Sequence, residues 1–146
     1  MKTAASLPPS VLLVDDNRDG LLVRRSLLEE IGCCVQIAIS PEDGLKLFQD
    51  GKFDVVVTDY RMPLMDGTEL IRRIRLLDPN ARIIMLSGFV EPLGLTELNT
   101  GADAVISKSA NEPAHLTRSV KRLLNRGLRK PPASQKVPRS RANVVG

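Results

Sequence analysis

Five side chains in this sequence could do chemistry together: the carboxylates of Asp15, Asp16 and Asp59, the hydroxyl of Ser87 and the ammonium of Lys108. Each stands at or just past the end of a short apolar run, after Val11 to Val14, Val55 to Val57, Ile83 to Leu86 and Ala104 to Ile106 respectively. Three carboxylates in close quarters repel, so one or more would keep its proton unless a cation joined them. A hard divalent ion such as Mg²⁺, which takes oxygen ligands from one or two carboxylates plus water, relieves that repulsion. A carboxylate in such a cluster can accept a phosphoryl group as a nucleophile. The cation and Lys108 would then neutralise charge on the transferring oxygens, and Ser87 would donate a hydrogen bond to the product.

That chemistry requires four strand ends to meet. Apolar runs of three to five residues bounded by turn signals read as strands buried on both faces: Val11 to Val14, a run carried by Val35 and Ile37, Asp54 to Thr58, Ile83 to Leu86, and Ala104 to Ile106. Helical spacing fills the intervals. From Asp19 the apolar positions are Leu22, Val23, Leu27, Leu28 and Ile31, with Arg24, Arg25, Glu29 and Glu30 between them. Ser40-Pro41-Glu42-Asp43 opens a second helix with a cap, a proline at the first position and early acids. A third carries Leu70, Ile71, Ile74 and Leu77, and a last one Leu116, Val120, Leu123 and Leu124. The fourth helix, Glu91 to Thr100, is the weakest, because Pro92, Gly94 and Thr96 each lower helix propensity. Strands alternating with helices imply an α/β fold with right-handed crossovers. The expected architecture is flavodoxin-like: a doubly wound five-stranded parallel sheet in the order 2-1-3-4-5 with five helices. In such a sheet Asp15, Asp16, Asp59, Ser87 and Lys108 share one edge.

At 146 residues and 42% hydrophobic content, one domain with a real core is expected. No apolar run approaches the length of a membrane span, and the start MKTAASLPPS carries no signal peptide, so no membrane contact and a cytoplasmic location are expected. Cys33 and Cys34 are adjacent and read as reduced thiols at a loop-to-strand junction. The net charge of +4 misdescribes the folded part. Five basic residues and no acid lie beyond Arg126, leaving sixteen basic against seventeen acidic residues, a net −1, for the first 126. The expected organisation is a lead over 1–8, one domain over 9–126 and a disordered basic tail over 127–146, rich in Pro, Ser, Lys and Arg. That tail lacks aromatic residues and any folded motif for reading bases, so nucleic acid is not an expected partner. His115 reads as an exposed imidazole.

The arrangement resembles the receiver domain of bacterial response regulators. The matching residues are Asp15-Asp16 after the first strand, Asp59 followed by Met62-Pro63 and Asp66-Gly67, Ser87-Gly88, Gly101-Ala102-Asp103 before the fifth strand, and Lys108 after it. The resemblance implies a stand-alone switch of a two-component system, phosphorylated on Asp59 by a histidine kinase or phosphotransfer protein and acting on a downstream protein target. It further implies that Asp15, Asp16, Asp59 and the Arg61 backbone carbonyl hold Mg²⁺, and that Ser87 and Lys108 bind the phosphoryl group. It implies, too, a phosphoacceptor rather than an enzyme that turns over a substrate. Arg61 and Phe89 match positions that modulate phosphate loss, and their bulk implies a long-lived phosphoryl group. Two positions depart from the pattern. Val105 stands where the family usually has a rotating aromatic, and a short β-branched side chain cannot swing in that way. Ser109 replaces the usual proline, so a trans peptide after Lys108 is expected. These departures leave a second reading, a pseudo-receiver interaction module that is not usefully phosphorylated. A phosphatase-type hydrolase lacks an acid two residues after Asp59, and a dinucleotide-binding fold lacks the glycine fingerprint in its first turn.

Overall fold

A computed structural model of the chain describes residues 7–88 and 93–128, without the side chains of 126–128. The elements are β1 (Ser10–Val14), α1 (Arg18–Glu30), β2 (Cys34–Ala38), α2 (Pro41–Asp50), β3 (Val55–Asp59), α3 (Gly67–Leu77), β4 (Ile83–Ser87), α4 (Glu97–Thr100), β5 (Ala104–Ser107) and α5 (Glu112–Leu128). The strands form one parallel sheet in the order β2-β1-β3-β4-β5, as expected from the alternating pattern.

Successive side chains of a strand point to opposite faces, and here each face meets its own pair of helices. Val11, Leu13, Val55, Val57, Ile84, Leu86 and Ile106 pack with Leu21 and Leu28 of α1 and Leu116, Val120 and Leu123 of α5. Leu12, Val14, Val56, Ile83 and Met85 pack on the other face with Leu70, Ile71 and Ile74 of α3. Continuing the alternation past Leu13, Val57 and Ile106 assigns Asp15, Asp59 and Lys108 to the face shared by α1 and α5.

Helix starts follow local chemistry. Ser40 Oγ accepts the Asp43 amide and Asp66 Oδ1 accepts the Glu69 amide, each satisfying a donor that the first turn cannot bond itself. Gly67, the first residue of α3, donates its amide to the Tyr60 carbonyl, and a Cβ there would run into the Asp59 carbonyl and Met85. Only glycine lets α3 start this close to the end of β3.

Four features depart from the sequence reading. In α1 the buried residues are Leu21 and Leu28, whereas Leu22 and Val23 are 37% and 67% exposed. The inward stripe therefore runs Leu21-Arg24-Leu28, at spacings of three and four, and includes an arginine that the apolar pattern had put outside. The helix expected over Glu91 to Thr100 is not continuous: residues 91 and 92 lie outside the described residues, Leu93 is helical, Gly94 at φ 63° breaks the run, and α4 restarts at Glu97 with Thr96 as its cap. Strands β3, β4 and β5 each run one residue past the expected Asp54 to Thr58, Ile83 to Leu86 and Ala104 to Ile106, to Asp59, Ser87 and Ser107. Helix α5 continues two residues past Arg126. Phe89 and the tail beyond Leu128 lie outside the described residues.

Cys33 is buried and Cys34 exposed, both as free thiols. No helix among the described residues is long and apolar enough to cross a membrane.

Candidate functional site

Register brings the site together. Val14 pairs with Thr58, so Asp15 emerges beside Asp59; Asp59 pairs with Leu86 and Ser87 with Ser107, which sets Ser87 and Lys108 along the same edge. Backbone bonds extend the sheet past its last pairs: Asp15 N donates to Ala38 O at 3.1 Å, Tyr60 N to Leu86 O at 2.9 Å and Lys108 N to Ser87 O at 2.9 Å. One cleft is lined by Asp15, Asp16, Asn17, Asp59, Arg61, Ser87, Gly88 and Lys108, and so gathers all six residues singled out in the sequence. A larger cleft lined by Phe48, Phe53 and Leu77 lies at the opposite, amino-terminal end of the strands, a sheet's height away from these groups.

Within the site Asp15, Asp59 and Ser87 are buried, while Asp16 and Arg61 are exposed. Each of Asp15, Asp16 and Asp59 presents one carboxylate oxygen, and these oxygens lie within 4.8 Å of one another. Lys108 Nζ stands 2.6 Å from Asp59 Oδ1 and 3.8 Å from Asp15 Oδ2. Burial pushes the Asp59 carboxyl above the usual carboxylate range; the hydrogen bond from Lys108 pulls it back, and the neighbouring Asp15 charge pushes it up again. An all-oxygen donor set of clustered acids matches what a hard divalent cation takes.

Asp15 is held on both oxygens. Oδ1 accepts the Asn17 amide at 3.0 Å, and Oδ2 accepts Arg24 Nη1 at 3.0 Å. Arg24 then reaches α5, donating Nε to Glu112 Oε2 at 2.8 Å and Nη2 to Glu112 Oε1 at 3.2 Å. Burial works against the Arg24 cation, but the two acids outweigh it and its pKa is raised. Sequence reasoning missed both Arg24 and Glu112. The signal for Arg24 was present in its position between Leu21 and Leu28 on one helical stripe; nothing local marked Glu112, 88 residues away.

The loop carrying Lys108 is built without a proline. No peptide bond among the described residues is cis. Instead Ser109 turns the chain: its hydroxyl accepts the Asn111 amide at 3.3 Å and its carbonyl the Glu112 amide at 3.0 Å, starting α5. Val105, on the edge strand β5, is half-buried against the α3 face of the core, and its amide donates to Glu97 Oε2 at 3.2 Å. Between β3 and α3, Leu64 sits at φ 71° where Met65 N donates to Pro63 O at 2.8 Å, the three-residue turn of the strained kind, while Met62 and Met65 are buried on either side. Tyr60 packs away from the cleft against the α3 face of the core.

A family model described as the response regulator receiver domain matches residues 11–121. Over 116 residues the chain is 33% identical to the aerobic respiration control sensor protein ArcB of Escherichia coli (strain K12), covering 77% of this chain but 15% of that protein. Among solved structures, a CheY-like response regulator receiver domain protein from Methanospirillum hungatei JF-1 is 34% identical with a TM-score of 0.74, covering 82% of this chain and 95% of that one. The response regulator protein TrrA from Thermotoga maritima, solved in complex with Mg²⁺ and BeF, is 30% identical with a TM-score of 0.72, over 79% and 98% of the two chains.

Proposed function

From the premise that this chain belongs to the response regulator receiver domain family, we propose that it is a phosphorylation-dependent signalling switch whose phosphoacceptor is Asp59. The observation that carries the reading is the convergence of three carboxylate oxygens within 4.8 Å, with an ammonium 2.6 Å from the Asp59 carboxylate. The donor is a phosphohistidine on a sensor histidine kinase or phosphotransfer protein. An Asp59 oxygen attacks phosphorus; the new O–P bond forms as the N–P bond breaks, and the departing imidazole keeps the electron pair and takes up a proton. Lys108 neutralises charge on the phosphoryl oxygens, and the Ser87 hydroxyl donates a hydrogen bond to the product phosphate.

Asp15, Asp16, Asp59 and the Arg61 carbonyl would hold Mg²⁺, which when bound neutralises the acid cluster and the incoming phosphoryl charge. No substrate turnover belongs to this role. The switch acts in the cytoplasm on a protein target, with 9–126 as the receiver unit and the basic residues beyond it as a separate tail.

The test is incubation with acetyl phosphate and Mg²⁺, read by intact mass. Wild type should gain the mass of one phosphoryl group and Asp59→Asn none. A wild-type protein that stays unmodified would move the reading to an interaction module that keeps the fold without the chemistry.

A further inference from the structure

The guanidinium of Arg24 lies on the buried stripe of α1 with a side chain 12% exposed, in a place where an apolar residue would continue Leu21 and Leu28. Burying a charge there brings no stability that a well-packed apolar side chain could not supply. Its partners suggest another reason. One arm holds Asp15, a member of the convergent acid cluster, and the other two donors grip both oxygens of Glu112 at the first turn of α5. We propose that Arg24 is the nearer resident counter-cation of Asp15, at 3.0 Å against 3.8 Å for Lys108, which tempers the affinity of the acid cluster for a divalent cation, and that Glu112 sets how much of that charge Asp15 feels.

The inference rests on the Mg²⁺ reading above, and the electrostatics behind it are direct. A fixed positive charge bonded to one of three clustered carboxylates lowers the negative charge on offer to a second cation and repels it at short range. Glu112, in two-pronged contact with the same guanidinium, withdraws part of that effect. Glu112 therefore favours the metal and Arg24 opposes it. The same contact ties the acid cluster to α5 along a route that does not pass through Val105.

Opposed signs make the test sharp. Mg²⁺ affinity is measured by isothermal titration calorimetry on the full chain for wild type, Arg24→Met, Glu112→Gln, the double variant and Arg24→Lys. Arg24→Met should bind about tenfold tighter, equal to about 1.4 kcal/mol, and Glu112→Gln about threefold weaker by the same charge reasoning. The double variant should match Arg24→Met within about twofold, because Glu112 acts through Arg24, and Arg24→Lys should stay nearer wild type than Arg24→Met. An arginine with a merely structural role would loosen Asp15 on removal and weaken binding. Unchanged or weaker binding by Arg24→Met overturns the inference. Should Arg24→Met fail to fold, Glu112→Gln decides: unchanged affinity overturns it and weaker affinity supports it. Absence of Mg²⁺ binding by wild type would overturn the metal reading itself, and this inference with it.

Discussion

Lys108 shows how one residue acquires its role from distance alone. In sequence it lies 49 positions from Asp59 and looks like any surface lysine; in the fold its ammonium sits 2.6 Å from the Asp59 carboxylate while remaining partly open to solvent. It reaches there by a trans peptide, because Ser109 supplies the turn that the family's proline usually gives. On the proposed reading, replacing Lys108 by Ala removes the ammonium beside Asp59 that would meet the transferring oxygens. Losing one such charge-stabilising group costs on the order of 10²–10³ in rate, so a time course of phosphoryl uptake from acetyl phosphate should slow by about that factor while Mg²⁺ binding persists. A rate within about threefold of wild type would remove Lys108 from the chemistry.

At the level of elements, most of the site's position was legible before the fold. The apolar runs ending in Asp15, Asp59 and Ser87 are strands because β-branched and aliphatic residues without polar interruption fit a sheet covered on both faces. The helix cap at Ser40 was equally visible, whereas Asp66, met in the sequence only as part of the Asp66-Gly67 motif, is shown to be a cap by the fold. What misled was the phase of α1, where two apolar stripes compete and the one containing an arginine turned inward. Periodicity counts an arginine as exterior; a partner carboxylate on another element reverses that. Asp66 offers a direct check on how α3 is fixed against β3. Its carboxylate accepts the Glu69 amide at 3.0 Å and the Thr68 hydroxyl at 2.6 Å. Asp66→Ala should destabilise the protein by about 1 kcal/mol, measured by urea denaturation, and a cost below about 0.3 kcal/mol would show that the cap contributes little.

For the molecule as a whole, folding and site formation are one event. The acids come from the ends of β1 and β3 and their counter-charges from α1 and the β5–α5 loop, so the unfolded chain has no such cluster. A cation that binds only the folded state stabilises it, by about 1.4 kcal/mol at about ten times its dissociation constant. Mg²⁺ should therefore raise the melting temperature by a few degrees, EDTA should reverse the rise, and Asp16→Asn should blunt it. An identical melting temperature in Mg²⁺ and EDTA would count against a divalent site in the acid cluster. The relatives place this unit in varied company: ArcB is several times longer than the matched region, and the chain spans 15% of its length. The shared fold thus speaks to the receiver unit itself.

By itself the sequence determined the class of fold, the strand ends that bear Asp15, Asp16, Asp59, Ser87 and Lys108, and the departures at Val105 and Ser109. These are local facts: hydrophobic run length, turn residues and the polar residue that ends each run. Only the tertiary structure decided that Arg24 faces inward and that Glu112 completes an ion-paired chain from Asp15 to α5. The physical reason is that a buried charge is explained by its partner, and a partner 88 residues away leaves no trace in local pattern. Strand order and register then do the rest, setting Asp15 beside Asp59 and both within reach of Arg24 on α1 and Lys108 on the β5–α5 loop.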